Sequence, residues 1–282
     1  MNSLHDLDSS IDQWFREDIG EGDHTTFSSI PFDATGSAKL LVKEAGILAG
    51  LAVAQRIFQR FDPEIELLPL LEDGCSISPG DLVFRVSGRV HTLLQCERLV
   101  LNVMQRMSGI ATTTNEYVGL LEGTDTKIMD TRKTTPGMRF LEKEAVRLGG
   151  GVNHRFGLYD MILIKDNHID FAGGIEQAIS ACRVYLKEKK LDLDIVVETR
   201  SLHDIEVVLS MGGIRRILLD NFSVELTREA VKLIDHLVET ESSGGITRET
   251  IRTYAECGVD YISVGALTHQ INSLDLSLKA DF

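Results

Sequence analysis

Short apolar runs alternate with amphipathic stretches through the second half of the chain, and a polar or small residue follows every run. The runs are KIMD (127 to 130), MILI (161 to 164), DIVV (194 to 197), RILL (216 to 219) and YISV (261 to 264), with LVET (237 to 240) a weaker sixth. Between several of them lie stretches such as IEQAISACRVYLKEKK and LHDIEVVLSMGG, the composition of helices that cross back over a parallel sheet. An α/β barrel or a doubly wound sheet follows. In a barrel the chemistry sits at the carboxyl ends of the strands. There the sequence places Asp130-Thr131-Arg132-Lys133, then Lys165, Glu198, Asp220, the segment Glu241-Ser242-Ser243-Gly244-Gly245, and Gly265.

The first part of the chain has a different texture, which ends near residue 110. Strand-like runs at 37 to 46 and 81 to 90 are separated by Gly, Pro and Asp turns and by a helical stretch over 51 to 61. From His91 to about Leu121 the apolar residues recur at helical spacing, which predicts one or two helices carrying Arg98. No cationic segment followed by an apolar run marks a secretory signal near Met1, and no stretch is long and apolar enough to span a bilayer. The four cysteines are scattered without a CxxC, so a reducing cytoplasm is the expected compartment. A net charge of −14 argues against a nucleic-acid or anionic-membrane surface.

Against that acidic background, residues 130 to 168 hold seven Lys/Arg and five acids. Arg139, Lys143 and Arg147 read as one face of a solvated helix, paired with Glu142 and Glu144. The flanking cations differ. Arg132 and Lys133 leave a strand into a Thr-Thr-Pro-Gly turn, and Arg155 follows Gly149-Gly150-Gly151-Val152-Asn153-His154, a run too flexible for a helix interior. Arg offers a planar fork for a carboxylate and Lys a compact charge for a phosphate, so this is an anion site. Glu198 and Asp220 end separate strands and suit a sugar diol or Mg2+; as a glycosidase pair they would be held ionised by the surrounding cations. Small residues around Ser243, Gly244, Gly245 and Gly265 let backbone N–H groups approach a phosphate after the last strands. His154 flanks the cationic loop and suits a donor role toward a carboxylate. His168 reads equally well as structural, and the other histidines, His269 among them, read as surface or packing residues.

The stretches DTRKTTPG, EKEAV, GGGVNHRFGLYDMILIKDNHI and LLDNF together closely resemble the quinolinate phosphoribosyltransferase family. The similarity also takes in EDIGEGDHTT, ERLVLNVMQRMSGIAT, SSGGIT and ISVGALTH, and so covers nearly the whole chain. It implies an N-terminal α/β sandwich over residues 1 to 110 and an irregular α/β barrel over 111 to 267. A tail from about 268 to 282 is expected to return to the first domain. It further implies a homodimer or higher homo-oligomer with shared active sites, in which Arg98 reaches in from a neighbouring subunit. Arg132, His154, Arg155 and Lys165 would hold the two carboxylates of quinolinate. Lys133, Glu198 and Asp220 would handle phosphoribosyl pyrophosphate and its Mg2+, with Lys133, Lys165, Glu198 and Asp220 as the catalytic set. The 5′-phosphate would rest on the backbone around Ser243, Gly244, Gly245 and Gly265. One departure stands out: many relatives carry an acid where this chain has Val196. The rival readings are a relative of the same fold with another acceptor, such as nicotinate or the substrate of the molybdenum-associated homologues, and a non-catalytic phosphosugar-binding protein.

Overall fold

The computed structural model describes residues 3 to 281. The first elements are α1 (Ser3–Ile19), α2 (His24–Ser29), β1 (Thr35–Val42), β2 (Gly46–Ile47), α3 (Leu51–Phe61), β3 (Glu66–Pro69), β4 (Ser76–Ile77), β5 (Leu82–Arg89) and the long helix α4 (Val90–Leu120). There follow β6 (Lys127–Met129), α5 (Arg139–Leu148), β7 (Ile162–Ile164), α6 (Asp166–Ala172), α7 (Ile175–Lys189), β8 (Ile195–Thr199) and α8 (Leu202–Met211). The chain continues through β9 (Arg216–Asp220), α9 (Val224–Ile234), β10 (Glu239–Ser243), α10 (Ile251–Ala255), β11 (Tyr261–Ser263), α11 (Ala266–His269) and β12 (Leu276–Ala280). No helix among the described residues is long and apolar enough to cross a membrane.

These elements form two compact units. One takes the chain up to Asn115, Thr135–Gly150 and everything from Gln270; the other takes Glu116–Thr134 and Gly151–His269. In the first unit an antiparallel sheet runs in the order β12-β1-β5-β3. Its register sets Ala38, Leu40 and Val42 of β1 on one buried face, the period of two expected of a half-buried strand. Leu51, Ala54, Ile57 and Phe58 give α3 its buried stripe, and the Phe58 and Phe84 rings meet edge-on with centroids 6.3 Å apart. The expected return of the tail takes the form of β12, which pairs antiparallel with β1 from Ala38↔Ala280 to Val42↔Leu276.

Helix α5 departs from the sequence expectation. It belongs to the first unit rather than the barrel, and it is not a solvated helix. Glu142 is fully buried and accepts two hydrogen bonds from Arg106 of α4, at 2.6 and 3.0 Å. Lys143 is buried as well; only Arg147, paired with Glu144 across a single turn, is exposed.

The second unit is a parallel sheet in the order β6-β11-β10-β9-β8-β7 with helices between its strands. Its first and last strands, β6 and β11, are hydrogen-bonded neighbours, as a closing barrel requires. Between β6 and β7 the wall is incomplete, and a single parallel bridge from Met129 to Val152 partly fills it. Strand β8 is buried along its whole length, as befits a parallel strand covered on both faces. The sixth run lies further along than the sequence suggested. Leu237 is 71% exposed and β10 begins at Glu239, so the strand is ETESS, a sequence with no apolar residue.

Candidate active site

All six strands of the second unit deliver residues to one cavity of about 730 Å³ at their carboxyl ends. Its wall is lined by Arg132, Lys133, His154, Arg155, Lys165, Glu198, Asp220, Ser243, Gly244, Gly245 and Gly265. Every site residue expected from the sequence is thus at this mouth except Arg98, which lies exposed on α4 in the first unit. That volume lies in the range of small-molecule sites and accommodates more than one small reactant.

The floor of the cavity is apolar on one side. Leu163, Val196 and Leu218 pack together one residue pair below Lys165, Glu198 and Asp220, with Met161 against them. Val196 is therefore a core residue with no exposed surface, and the single carboxylate that β8 contributes to the mouth is Glu198. The opposite side of the floor is ionic. Glu241 is fully buried, Nη1 of Arg216 donates to its Oε2 at 3.0 Å, and Arg216 also binds Glu239 and lies 4.1 Å from the centroid of the Tyr261 ring. Burial opposes the charge on Glu241. The hydrogen bond from His154, with Ser263 and the charge of Arg216, outweighs it and holds the carboxyl below the usual glutamate value.

Loop 153 to 160 is built to hold a guanidinium still. Fully buried Asp130 accepts the His154 N–H at 2.8 Å, while Asp160 accepts the N–H groups of Phe156 and Gly157 at 2.6 and 2.8 Å. Arg155 is buried and donates Nη1 to the Met161 carbonyl at 3.1 Å. Burial and the nearby Arg132 press against its positive charge. Asp160 compensates only in part, and a buried guanidinium close to a second one favours an acidic ligand, since a buried cation short of counter-charge is costly.

On the far wall, Lys165 Nζ stands 3.8 Å from Glu198 Oε2, and the Asp166 N–H reaches Glu198 Oε1 at 3.3 Å. Burial, helped by the charge of Asp220, raises the Glu198 carboxyl above its ordinary value against the pull of Asp166 N–H and Lys165. Asn221, held at φ 55°, donates its amide to Asp220 at 2.7 Å. A carboxylate whose charge is made costlier by a neighbouring one fits a cation shared between them. Among the described residues, however, no group of three or more His, Cys, Asp or Glu is arranged to hold a metal ion by itself. Such an ion would have to arrive with other ligands.

After β10, Gly244 and Gly245 take left-handed conformations at φ 94° and 62°, and no helix starts there; α10 begins six residues later, at Ile251. The Lys133 carbonyl accepts the Thr268 hydroxyl at 2.8 Å, tying the two cavity segments together. His168 is structural: its Nδ1 accepts the Lys165 N–H at 3.0 Å. His269, by contrast, lines the cavity beside Gly265 and Lys133. A lone histidine on a four-residue helix carries no periodic or motif signal, so sequence reasoning treated it as packing. Asn221 was missed in the same way, and Glu241, placed at a strand end by the sequence, gave no sign of its buried pairing with Arg216.

A parallel barrel whose mouth sets two guanidiniums and two lysines opposite a carboxylate pair, beside a glycine turn after the next-to-last strand, defines a group-transfer enzyme for anionic substrates. Models of the quinolinate phosphoribosyl transferase family match residues 23–108 for the N-terminal domain and 110–279 for the C-terminal domain. The chain belongs to that family. It is 44% identical to the chloroplastic nicotinate-nucleotide pyrophosphorylase (carboxylating) of Arabidopsis thaliana over 98% of this chain and 83% of that protein. Identity to quinolinate phosphoribosyltransferase (decarboxylating) 1b of Nicotiana tabacum is 42% with the same coverage. The crystal structure of NadC from Streptococcus pyogenes superposes with a TM-score of 0.93 at 39% identity, covering 100% of this chain and 99% of that one.

Proposed function

We propose that this protein transfers the phosphoribosyl group of phosphoribosyl pyrophosphate to the ring nitrogen of quinolinate, releasing pyrophosphate and CO2 and forming nicotinate mononucleotide for NAD synthesis. The observation that carries the reading is the pairing of an under-compensated cation set with a carboxylate pair at one barrel mouth. Arg132, Arg155 and Lys165, with His154, suit the two carboxylates of the acceptor. Lys133 and the glycine turn at Ser243-Gly244-Gly245, with Gly265, suit the phosphates, and Glu198 and Asp220 suit the ribose hydroxyls.

The reaction needs charge neutralisation more than a base. As the pyridine nitrogen attacks the anomeric carbon, positive charge develops on the sugar and negative charge on the departing pyrophosphate; preorganised lysines at 133 and 165 stabilise the latter without reorganisation. The quaternised ring nitrogen then stabilises the carbanion left on the adjacent carbon when its carboxylate departs as CO2, and a proton from water completes the nicotinate ring. Magnesium carried in on the pyrophosphate would neutralise further phosphate charge, facing Glu198 and Asp220.

A monocarboxylate acceptor would leave part of the cation set unpaired, which disfavours nicotinate. We assign the enzyme to the cytoplasm on its four free thiols, and a homo-oligomer in which Arg98 of one subunit serves the cavity of another. Incubation of the pure protein with quinolinate, phosphoribosyl pyrophosphate and Mg2+ tests the activity. Stoichiometric CO2 and pyrophosphate are expected, and nicotinate in place of quinolinate is expected to give almost none. Absence of both products with quinolinate would sink the assignment.

A further inference from the structure

The structure engages both ring nitrogens of His154. Nδ1 accepts the backbone N–H of Arg155 at 2.6 Å, so that nitrogen holds a lone pair and the proton of the neutral ring sits on Nε2. Nε2 lies 3.5 Å from Oε2 of Glu241, whose side chain has no exposed surface. The backbone is fixed as well, through the His154 N–H on buried Asp130.

Glu241 is also held by Arg216, at the same oxygen that faces the ring. Arg216 donates to its Oε2, and is itself pinned by Glu239, by the Met129 sulfur and by the face of Tyr261. Yet Oε1 of Glu241 has no hydrogen-bond partner. A fully buried carboxylate with one oxygen unsatisfied destabilises the fold, and an apolar residue packed beside Leu218, its register partner, would serve the barrel better. Packing alone therefore does not account for an acid here, directly beneath a cavity residue.

We infer that Glu241 is a positioning residue: it faces Nε2 of the imidazole, keeps the proton on that nitrogen and holds the ring in one orientation at the cavity wall, ready for a carboxylate of the acceptor. This deepens the functional reading above and rests on it. The 3.5 Å separation is longer than a strong hydrogen bond, so an incoming carboxylate competes for the proton against a weak partner. Charge and tautomer act together. A Gln at this position presents either a carbonyl or an amide N–H to Nε2, so the ring no longer meets an acceptor alone.

The test begins with the wild-type protein labelled with 15N-histidine, its His154 signals assigned by their loss in His154→Ala. Long-range 1H–15N spectra at neutral pH are expected to show Nε2 protonated and Nδ1 bare. A proton on Nδ1 overturns the proposal whether or not any variant folds. Glu241→Gln is then expected to give a mixture of tautomers and to raise KM for quinolinate about tenfold, as for loss of a charge-assisted hydrogen bond. KM for phosphoribosyl pyrophosphate should stay within about twofold. Glu241→Asp, which keeps the charge, is expected to retain the wild-type tautomer with a smaller rise. Equal rises in both KM values, or an unchanged His154 spectrum in Glu241→Gln, overturn it. Absence of wild-type turnover would instead strike the functional reading, and the spectra would still judge the tautomer.

Discussion

Glu198 is under opposing influences whose balance has a consequence for stability. Its carboxyl is raised in the folded protein, chiefly by burial, so the unfolded chain carries the charge more easily. Ionised Glu198 thus costs stability at neutral pH, and the cost is relieved as pH falls through its folded-state pKa. Glu198→Gln is expected to melt above wild type at pH 7, with the gap closing on acidification, while kcat/KM falls roughly a hundredfold or more. Calorimetry across pH and steady-state kinetics check the two halves; a lower melting point at pH 7 would contradict the sign. Residues of this kind were legible in the sequence because each follows an apolar run at a strand end. Lys143 and Glu142 were not, since alternating charges at helical spacing look alike whether they face water or the half-buried Arg106 of α4. The reaction itself became legible only through the resemblance: spacing showed an anion site, and nothing in spacing distinguishes quinolinate from another acid.

Among the elements, β10 and its turn were the hardest to place. A strand written ETESS has no hydrophobic period, because its inward side chains meet Arg216 and the cavity rather than a lipid-like core. The preceding leucine therefore drew the prediction two residues upstream. The turn is tightly specified all the same. A Cβ at Gly244 would come within 2.2 Å of the Asn221 Oδ1 and 3.0 Å of its backbone nitrogen, and its φ of 94° is strained for any L side chain. Gly244→Ala is expected to push Asn221 off Asp220 and spread the turn proposed to hold the phosphate. A rise in KM for phosphoribosyl pyrophosphate of about tenfold or more, with KM for quinolinate little changed, is the expected kinetic result. The opposite split would show that this turn serves the acceptor.

At the scale of the whole molecule, the proposed shared site makes a quantitative statement. Arg98→Ala and Lys133→Ala proteins, each inactive alone, should recover activity after subunit exchange, because a mixed dimer keeps one site with both residues intact. Statistical mixing of equal amounts gives half mixed dimers, each with one working site of two, and so about a quarter of wild-type activity. Native mass spectrometry establishes that mixing occurred; mixed dimers without activity would place Arg98 outside the neighbour's site. The barrel was anticipated from the sequence. The attachment of α5 to the first unit was not, since it depends on a long-range pair from Arg106 to Glu142.

The pairing of β12 with β1 also bears on how the protein is made. More than two hundred residues separate Ala38 from Ala280, and the entire barrel is translated in between. While the ribosome works through that stretch, β1 can gain β5 but must wait with its other edge open, a template for unwanted strand pairing. The barrel can close first; the β1 sheet is completed only after it. Conditions that slow release of the nascent chain should therefore expose the first unit, rather than the catalytic one, to aggregation and to chaperones.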